Sequence, residues 1–205
     1  HGIGGFGTVT NAGTIYANSG YAMFVGASNH TQTATLINKG SIYVTDEGVG
    51  IELGGVGTDG GTQASATNEG TIELGTKNGN FLIGVLIKGD EGKAIQGQSF
   101  TNKGTIDANG NTAISVEYAD GTTIVNEGTI KGTISVADTA TNTTITLEKG
   151  IVGDIVGDAT VKVTGASVTN NEGHQIALVK NGAEAGKLEV AQGATLTNHG
   201  LLKAQ

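Results

Sequence analysis

Apolar and polar residues alternate along short stretches of this chain, and the alternation is arranged around a recurring corner of the form Asn-x-Gly. In each copy an apolar residue lies two positions before the asparagine, and an isoleucine lies four positions after it. Alternation with a period of two places successive side chains on opposite faces of a β-strand. No stretch of the chain carries the apolar spacing of an amphipathic helix. The pattern therefore predicts two short strands joined by a tight corner.

The corner recurs five times as Asn-x-Gly-Thr/Ser-Ile. Its copies begin at Asn11, Asn38, Asn68, Asn102 and Asn126, which are 27, 30, 34 and 24 residues apart. A period in this range is typical of solenoids, in which each repeat buries its apolar side against its neighbours. We expect the glycine to supply a positive φ angle at the corner, and the asparagine to bond to its counterpart in the next repeat. The five asparagines are thus predicted to form a structural ladder, and the five isoleucines one buried column.

A third apolar pair follows each corner and predicts a third strand in every repeat. The pairs are Met23 with Val25, Ile51 with Leu53, Ile83 with Val85, Ile114 with Val116, and Ile134 with Val136. Connections between parallel strands are right-handed by strong preference. The predicted fold is an all-β, right-handed parallel β-helix with three strands in each coil and about eight coils.

The repeat is regular over residues 8–136 and degenerate over residues 137–205. In the second part, the stretch from Asn170 to Gly173 carries one residue more than the motif, and the motif returns only loosely near Asn198. We predict one β-helical domain over residues 1–205. Neither end carries a polar segment that would cap the terminal coil, so we expect the chain to be a fragment of a longer solenoid.

Composition supports this architecture and excludes several function classes. The chain has 36 glycines and no proline, as expected if nearly every backbone N–H enters a sheet. It has no cysteine, and its net charge of −8 disfavours binding to nucleic acid. The residue after the motif asparagine alternates in sign through Lys39, Glu69, Lys103 and Glu127. Stacked repeats would bring these opposite charges together.

The repeated Asn-x-Gly-Thr/Ser-Ile corners, in an acidic chain rich in glycine, asparagine and threonine, resemble the passenger domains of type V autotransporters, in particular the β-helical adhesins of Gram-negative bacteria. The resemblance is strong from Thr8 to Ile130 and weak beyond. It implies a non-catalytic segment that is exported, displayed at the cell surface or outer membrane, and active in adhesion and virulence. The implied partner is a host-cell surface protein or glycan, or another bacterium. The resemblance also implies membrane attachment only through a C-terminal barrel outside this chain, and we expect a monomer.

An alternative is a carbohydrate-active β-helix, a polysaccharide lyase or hydrolase whose active cluster lies outside this chain. Such enzymes need clustered carboxylates or a basic residue beside the substrate. Asp154 and Asp158 lie four residues apart, but a polar turn explains them as well. The four histidines are scattered, without metal spacing and without a paired aspartate in the sequence. We therefore predict no catalytic, cofactor-binding or metal-binding residue.

Two features indicate where a partner could bind. The register places Tyr16 and Tyr43 in one outward column, and Phe24 and Leu86 outward on the third strand. Such residues could stack on a sugar or an aromatic side chain, although a pair of tyrosines also stabilises a sheet by itself.

Three long insertions, at residues 26–35, 54–65 and 89–99, are the second feature, because loops that the core does not dictate often carry recognition. Residues 54–59 match the start of a calcium-binding nonapeptide repeat. A single copy favours a loop over a calcium site.

Overall fold

The computed structural model describes residues 3–4, 7–26, 33–54 and 63–205. These residues form strands and turns and contain no helix. Accordingly, the described part of the chain has no helix long and apolar enough to cross a membrane.

The strands are short, and most of them recur in the order in which the motif predicts them. They are β1 (Ile3–Gly4), β2 (Gly7–Asn11), β3 (Thr14–Ala17), β4 (Tyr21–Gly26), β5 (Ala34–Asn38), β6 (Ser41–Val44), β7 (Gly48–Gly54), β8 (Ala64–Asn68), β9 (Thr71–Leu74), β10 (Leu82–Lys88), β11 (Ile95–Gln96), β12 (Ser99–Asn102), β13 (Thr105–Glu117), β14 (Ala119–Asp120), β15 (Thr123–Asn126), β16 (Thr129–Val136), β17 (Thr143–Leu147), β18 (Ile155–Val156), β19 (Ala159–Val163), β20 (Val168–Asn170), β21 (Gln175–Ala177), β22 (Val179–Lys180), β23 (Ala183–Glu184), β24 (Lys187–Val190), β25 (Leu196–Asn198) and β26 (Leu201–Lys203).

Two large sheets hold most of these strands. The eight-stranded sheet has the order β2-β5-β8-β12-β15-β17-β19-β24. The twelve-stranded sheet has the path β1-β4-β7-β10-β13-β16-β18-β21-β26, with β3, β6 and β9 joined to it through β13. All pairs in both sheets are parallel, and each strand pairs with its equivalent in the next repeat. The fold is therefore an all-β stack of parallel strands, as the repeat predicts.

The predicted isoleucine column is confirmed. In the strand register Ile15 lies beside Ile42, Ile42 beside Ile72, Ile72 beside Ile106, and Ile106 beside Ile130. Four of these side chains are at most 1% exposed, and Ile15 is partly buried against the same core. The burial of a β-branched side chain in every repeat gives the stack one continuous apolar core.

The alternating charges after the motif asparagine also stack as expected. The ammonium group of Lys39 lies 3.9 Å from the Glu69 carboxylate, and that of Lys103 lies 4.0 Å from the Glu127 carboxylate. These side chains are substantially exposed, so each pair contributes little stability. The pairs favour the correct register, since a strand that paired with the repeat after next would bring like charges together.

The predicted third strand needs one correction. Val85 pairs with Ile51, and Ile87 pairs with Leu53, so the buried pair is Val85 and Ile87 rather than Ile83 and Val85. The reason is a break in the alternation, since two consecutive residues, Ala22 and Met23, are both fully buried in the equivalent strand β4. Such a break changes which residues face the core and cannot be seen from a strict period of two.

The motif glycines need a second correction. Their φ angles are not positive. Instead, a Cβ atom on Gly104 would overlap the carbonyl oxygen of Gly70 in the preceding repeat, and Gly40, Gly70 and Gly128 are equally restricted. Glycine is therefore required at the corner because the backbones of successive repeats lie in contact there.

Candidate functional site

The five motif asparagines form the predicted ladder inside the stack. The side-chain amide of each donates to the side-chain oxygen of the next, at 2.8, 2.8, 2.9 and 3.0 Å from Asn11 through Asn38, Asn68 and Asn102 to Asn126. The last four are fully buried. Buried amides need partners, and each asparagine here supplies one for its neighbour. These residues are structural and are unavailable to an external ligand.

The ladder stops at Asn126 because Leu147 occupies the equivalent position in the next strand. The Asn126 amide donates to the carbonyl oxygen of Lys149 instead, at 2.9 Å. A further rung joins Asn170 to Asn198 at 2.7 Å, in the degenerate part of the chain. The sequence signal for this rung was the loose return of the motif, obscured by the extra residue after Asn170.

The two tyrosines predicted to face outward are adjacent. The rings of Tyr16 and Tyr43 stack with centroids 5.2 Å apart and planes at 15°. Tyr16 is 73% exposed, and Tyr43 is half-buried beneath it. The same outward column continues with Glu73 and Asp107, as the register predicts. The pair offers one aromatic face to solvent.

The other two side chains predicted to face outward, Phe24 and Leu86, differ in exposure. Phe24 is 37% exposed and lies beside Tyr21, with ring centroids 6.3 Å apart. Leu86 is only 3% exposed, because it packs with Val49 and Ile83 in a small apolar cluster separate from the main core. Leu86 points away from the main core as predicted, but it is covered and is not a contact residue.

Glu52 lies between Phe24 and Leu86 in the strand register. Burial raises the pKa of its carboxyl group from 4.5 to about 6, and the positive charge of Lys88 opposes part of that rise. Lys88 itself pairs with Glu117 at 3.1 Å. A partly buried carboxylate beside apolar side chains destabilises the stack when it is ionised.

Of the three long insertions, only the third lies mainly within the described residues. Residues 27–32 and 55–62 lie outside them, and so does most of the calcium-like segment 54–59. In the third insertion, β11 pairs with β14, and the side-chain oxygen of Gln98 accepts a hydrogen bond from the Ala64 backbone at 2.8 Å. Ile95 and Gln98 of this insertion are buried, whereas residues 90–93, 96 and 97 are exposed.

The described residues form a groove along the stacking direction of the strands. It consists of three adjoining cavities of about 380, 420 and 500 Å³. The first and second cavities share Asn111 and Thr133, and the second and third share Asp154 and His174. The groove therefore continues from one cavity to the next.

The second cavity of the groove lies where the connection between the second and third strands of a repeat is shortest. Residues 75–81 separate β9 from β10, whereas the equivalent segments of the next two repeats are single strands, β13 and β16, that bend without a loop. In β16 the bend is at Gly132, with a φ angle of 140° and no room for a Cβ atom beside Ala108. The missing loops leave a recess.

Two aspartates in the groove are held by neighbouring side chains. Asp107 accepts from the Lys131 ammonium at 3.3 Å and from the Asn109 backbone at 3.2 Å. Asp154 lies 3.1 Å from His174 Nδ1 and accepts from the backbone and side chain of Gln175, each at 3.2 Å. The expectation that no histidine is paired with an aspartate is therefore wrong.

Asp154 and Asp158, which the sequence placed four residues apart, have different partners. Asp158 pairs with Lys180 at 3.5 Å, whereas Asp154 faces the groove. Among the described residues no group of three or more His, Asp or Glu side chains is placed to hold a metal ion. The carboxylates that share the second cavity are Asp107 and Asp154, a pair that sequence spacing did not indicate.

Comparison of the chain with known protein families, with curated proteins and with solved structures finds no match.

One sequence signal could have located the groove. From Asn126 to Ile134 is a distance of only eight residues, against twelve from Asn102 to Ile114. We expected recognition at the longest connections. The second cavity lies beside the shortest one, whereas Lys77, Asn80 and Phe81 of the first cavity belong to the longer segment 75–81. Where the connection is short, no loop covers the side of the sheet.

Proposed function

We propose that the chain is a right-handed parallel β-helix with three strands in each coil. The parallel pairing of equivalent strands supports this architecture, and right-handed connections are the strong preference for parallel strands. The eight-stranded sheet would supply one strand to each coil, which corresponds to about eight coils.

The function that this architecture supports best is that of a non-catalytic segment of a surface-displayed autotransporter adhesin. The observation that carries the proposal is the buried asparagine ladder from Asn11 to Asn126. A core that repeats in this way makes a rigid stalk and leaves the outer side chains free to differ from repeat to repeat. The outward column of Tyr16, Glu73 and Lys131 is an example of such variation.

In this proposal the segment is exported to the cell surface, where it serves as stalk and binding platform. Its partner is a host-cell surface protein or glycan, or another bacterium. A longer chain would anchor it in the outer membrane, and the segment itself would act as a monomer.

Surface display tests the proposal. Residues 1–205 are fused to an unrelated outer-membrane anchor, and adhesion of the displaying bacteria to epithelial cells and to other bacteria is counted against the anchor alone. We expect increased adhesion to at least one of these targets. Equal adhesion of both strains, with display verified by antibody, would contradict the adhesin proposal.

A second candidate is a carbohydrate-active enzyme, and one observation favours it. Asp107 and Asp154 line the same groove, each beside a basic side chain. Carboxylates on the two sides of a sugar chain are the groups that glycoside hydrolysis uses. Release of reducing ends or of unsaturated uronates from polysaccharides would support this candidate, whereas binding without turnover would support the adhesin.

A further inference from the structure

The groove combines exposed apolar side chains with hydrogen-bonding groups along its whole length. Each of its three cavities contains one large apolar side chain that solvent reaches: Phe81 at 51% exposure, Val152 at 53% and Leu201 at 47%. A sugar ring has an apolar face of C–H groups and a rim of hydroxyl groups. An apolar side chain among polar groups is the surface that such a ring requires.

The polar groups of the groove are already oriented. The carboxylate of Asp107 is held by Asn109 and Lys131, and that of Asp154 by His174 and Gln175. An ionised carboxylate has about four acceptor positions, so both groups keep acceptor capacity for further donors. Little side-chain entropy remains to be lost when a ligand hydroxyl binds to them.

Charge favours a neutral ligand. Each carboxylate of the groove faces a basic side chain: Asp107 faces Lys131, Asp154 faces His174, and Glu117 faces Lys88. The paired groups leave no block of uncompensated positive charge for sulfate, phosphate or uronate groups. The net charge of −8 of the whole chain would repel a polyanion.

The backbone beneath the groove is not available for recognition. Strand β13 pairs with β10 on one side and with β16 on the other. A peptide that binds as an added strand needs an open edge, and this part of the sheet has none. The ligand is therefore recognised by side chains, which favours a molecule with many hydroxyl groups.

The length of the groove suits an extended chain. From the strand that follows Phe81 to the strand that follows His174 there are four pairing steps, β10 to β13, β16, β18 and β21. At about 4.8 Å for each step, this part of the groove extends over about 19 Å, and the step from β21 to β26, which carries Leu201, lengthens it further. Several sugar units in a row can lie along it.

We propose that this groove binds an extended, uncharged glycan that runs along the stacking direction of the strands. Phe81 and Val152 contact the faces of its rings, and Asp107 and Asp154 accept hydrogen bonds from its hydroxyl groups. The inference deepens the proposed function, on which it rests, by assigning the chemical class of the partner and the surface that binds it.

Glycan binding by residues 1–205 tests the inference directly. The labelled chain is applied to an array of neutral, sulfated and uronate-containing oligosaccharides, and the best neutral ligand is titrated by calorimetry. We expect saturable binding to one or more neutral glycans and none to the sulfated set. Binding restricted to anionic glycans, or no binding at all, would overturn the inference.

Two substitutions test whether the ligand binds in the groove. Val152→Glu replaces an exposed apolar contact, and Asp154→Asn removes an anionic acceptor. Each is expected to weaken neutral-glycan binding by about tenfold or more. Val190→Glu is the matched control, since Val190 is 48% exposed and lies outside the three cavities.

The circular-dichroism melting curve of each variant shows whether it is folded. If Asp154→Asn fails to fold, Val152→Glu alone still tests the site, because its side chain contributes little to the core. Glycan binding that Val152→Glu leaves unchanged would overturn the assignment to this groove.

The adhesion assay separates the two proposals. Adhesion without glycan binding in solution would contradict the groove inference and leave the adhesin proposal intact. Glycan binding without adhesion would contradict the adhesin proposal and leave the groove inference intact.

Discussion

A hydrogen bond of 2.8 Å joins the side-chain amide of Asn38 to the side-chain oxygen of Asn68, although the two residues lie 30 positions apart in the chain. Both side chains are fully buried. The bond therefore forms only when successive repeats lie in register, and it makes the register a condition of stability.

Asn68→Ala is expected to lower the free energy of unfolding by about 3 kcal/mol, because it leaves Asn102 without its donor and Asn38 without its acceptor in a buried site. Urea denaturation followed by circular dichroism measures the change. The control is Asn18→Ala, since the Asn18 side-chain oxygen accepts an exposed bond from the Thr45 hydroxyl group at 3.2 Å. A loss for Asn68→Ala no larger than that for Asn18→Ala would contradict the structural role of the ladder.

The close contact of the corner backbones predicts a difference between two glycines of the same motif. Gly104→Ala is expected to cost about 2–3 kcal/mol, because the new Cβ atom would overlap the carbonyl oxygen of Gly70. Gly13→Ala is the matched control, since nothing lies within 4 Å of its Cβ position. Neither glycine has a positive φ angle, so the control is expected to change stability by less than about 0.5 kcal/mol. Equal melting temperatures of the two variants would refute the explanation by backbone contact.

The raised pKa of Glu52 predicts a pH dependence of stability. Its pKa is about 6 in the folded chain, against 4.5 ordinarily, so between these values the folded state binds more protons than the unfolded state. The free energy of unfolding therefore falls as the pH rises through this range.

Glu52→Gln, which keeps the shape of the side chain, is expected to stabilise the chain by about 1 kcal/mol at neutral pH, after allowance for partial exposure, and to have little effect below pH 4.5. Urea titrations at several pH values measure both quantities. The control is Glu172→Gln, at an exposed turn residue. A stabilisation that is the same at every pH would show that the Glu52 charge is not its cause.

The stacked tyrosines predict a separation of stability from binding. Replacing both Tyr16 and Tyr43 by serine removes a stacked pair on the outer face of the sheet, of which Tyr16 is 73% exposed, and is expected to cost less than about 1 kcal/mol. If the pair contacts a partner, the folded double variant shows weaker adhesion when displayed on cells. Adhesion equal to that of the parent chain would dismiss the pair as a contact site.

Much of the core could be predicted from the sequence because the chain repeats the same local chemistry. The isoleucine column from Ile15 to Ile130 and the asparagine ladder depend only on the period of two and on the equivalence of the repeats. The pair Ile83 and Val85 could not be assigned correctly, since the alternation breaks where two consecutive residues face the core. The burial of Leu86 could not be predicted for a different reason. The side chains that cover it, Val49 and Ile83, lie with it on the outer face of the sheet.

The repeat pattern alone determined that the isoleucine column and the asparagine ladder face inward, because burial of a side chain in a regular strand is a local consequence of its position. The surface was decided by the tertiary structure. The contact of His174 with Asp154 and the placement of Asp107 in the same groove depend on how the connections of successive repeats stack. These side chains are separated along the chain by distances that do not follow the repeat. Only the tertiary structure therefore shows that they are neighbours.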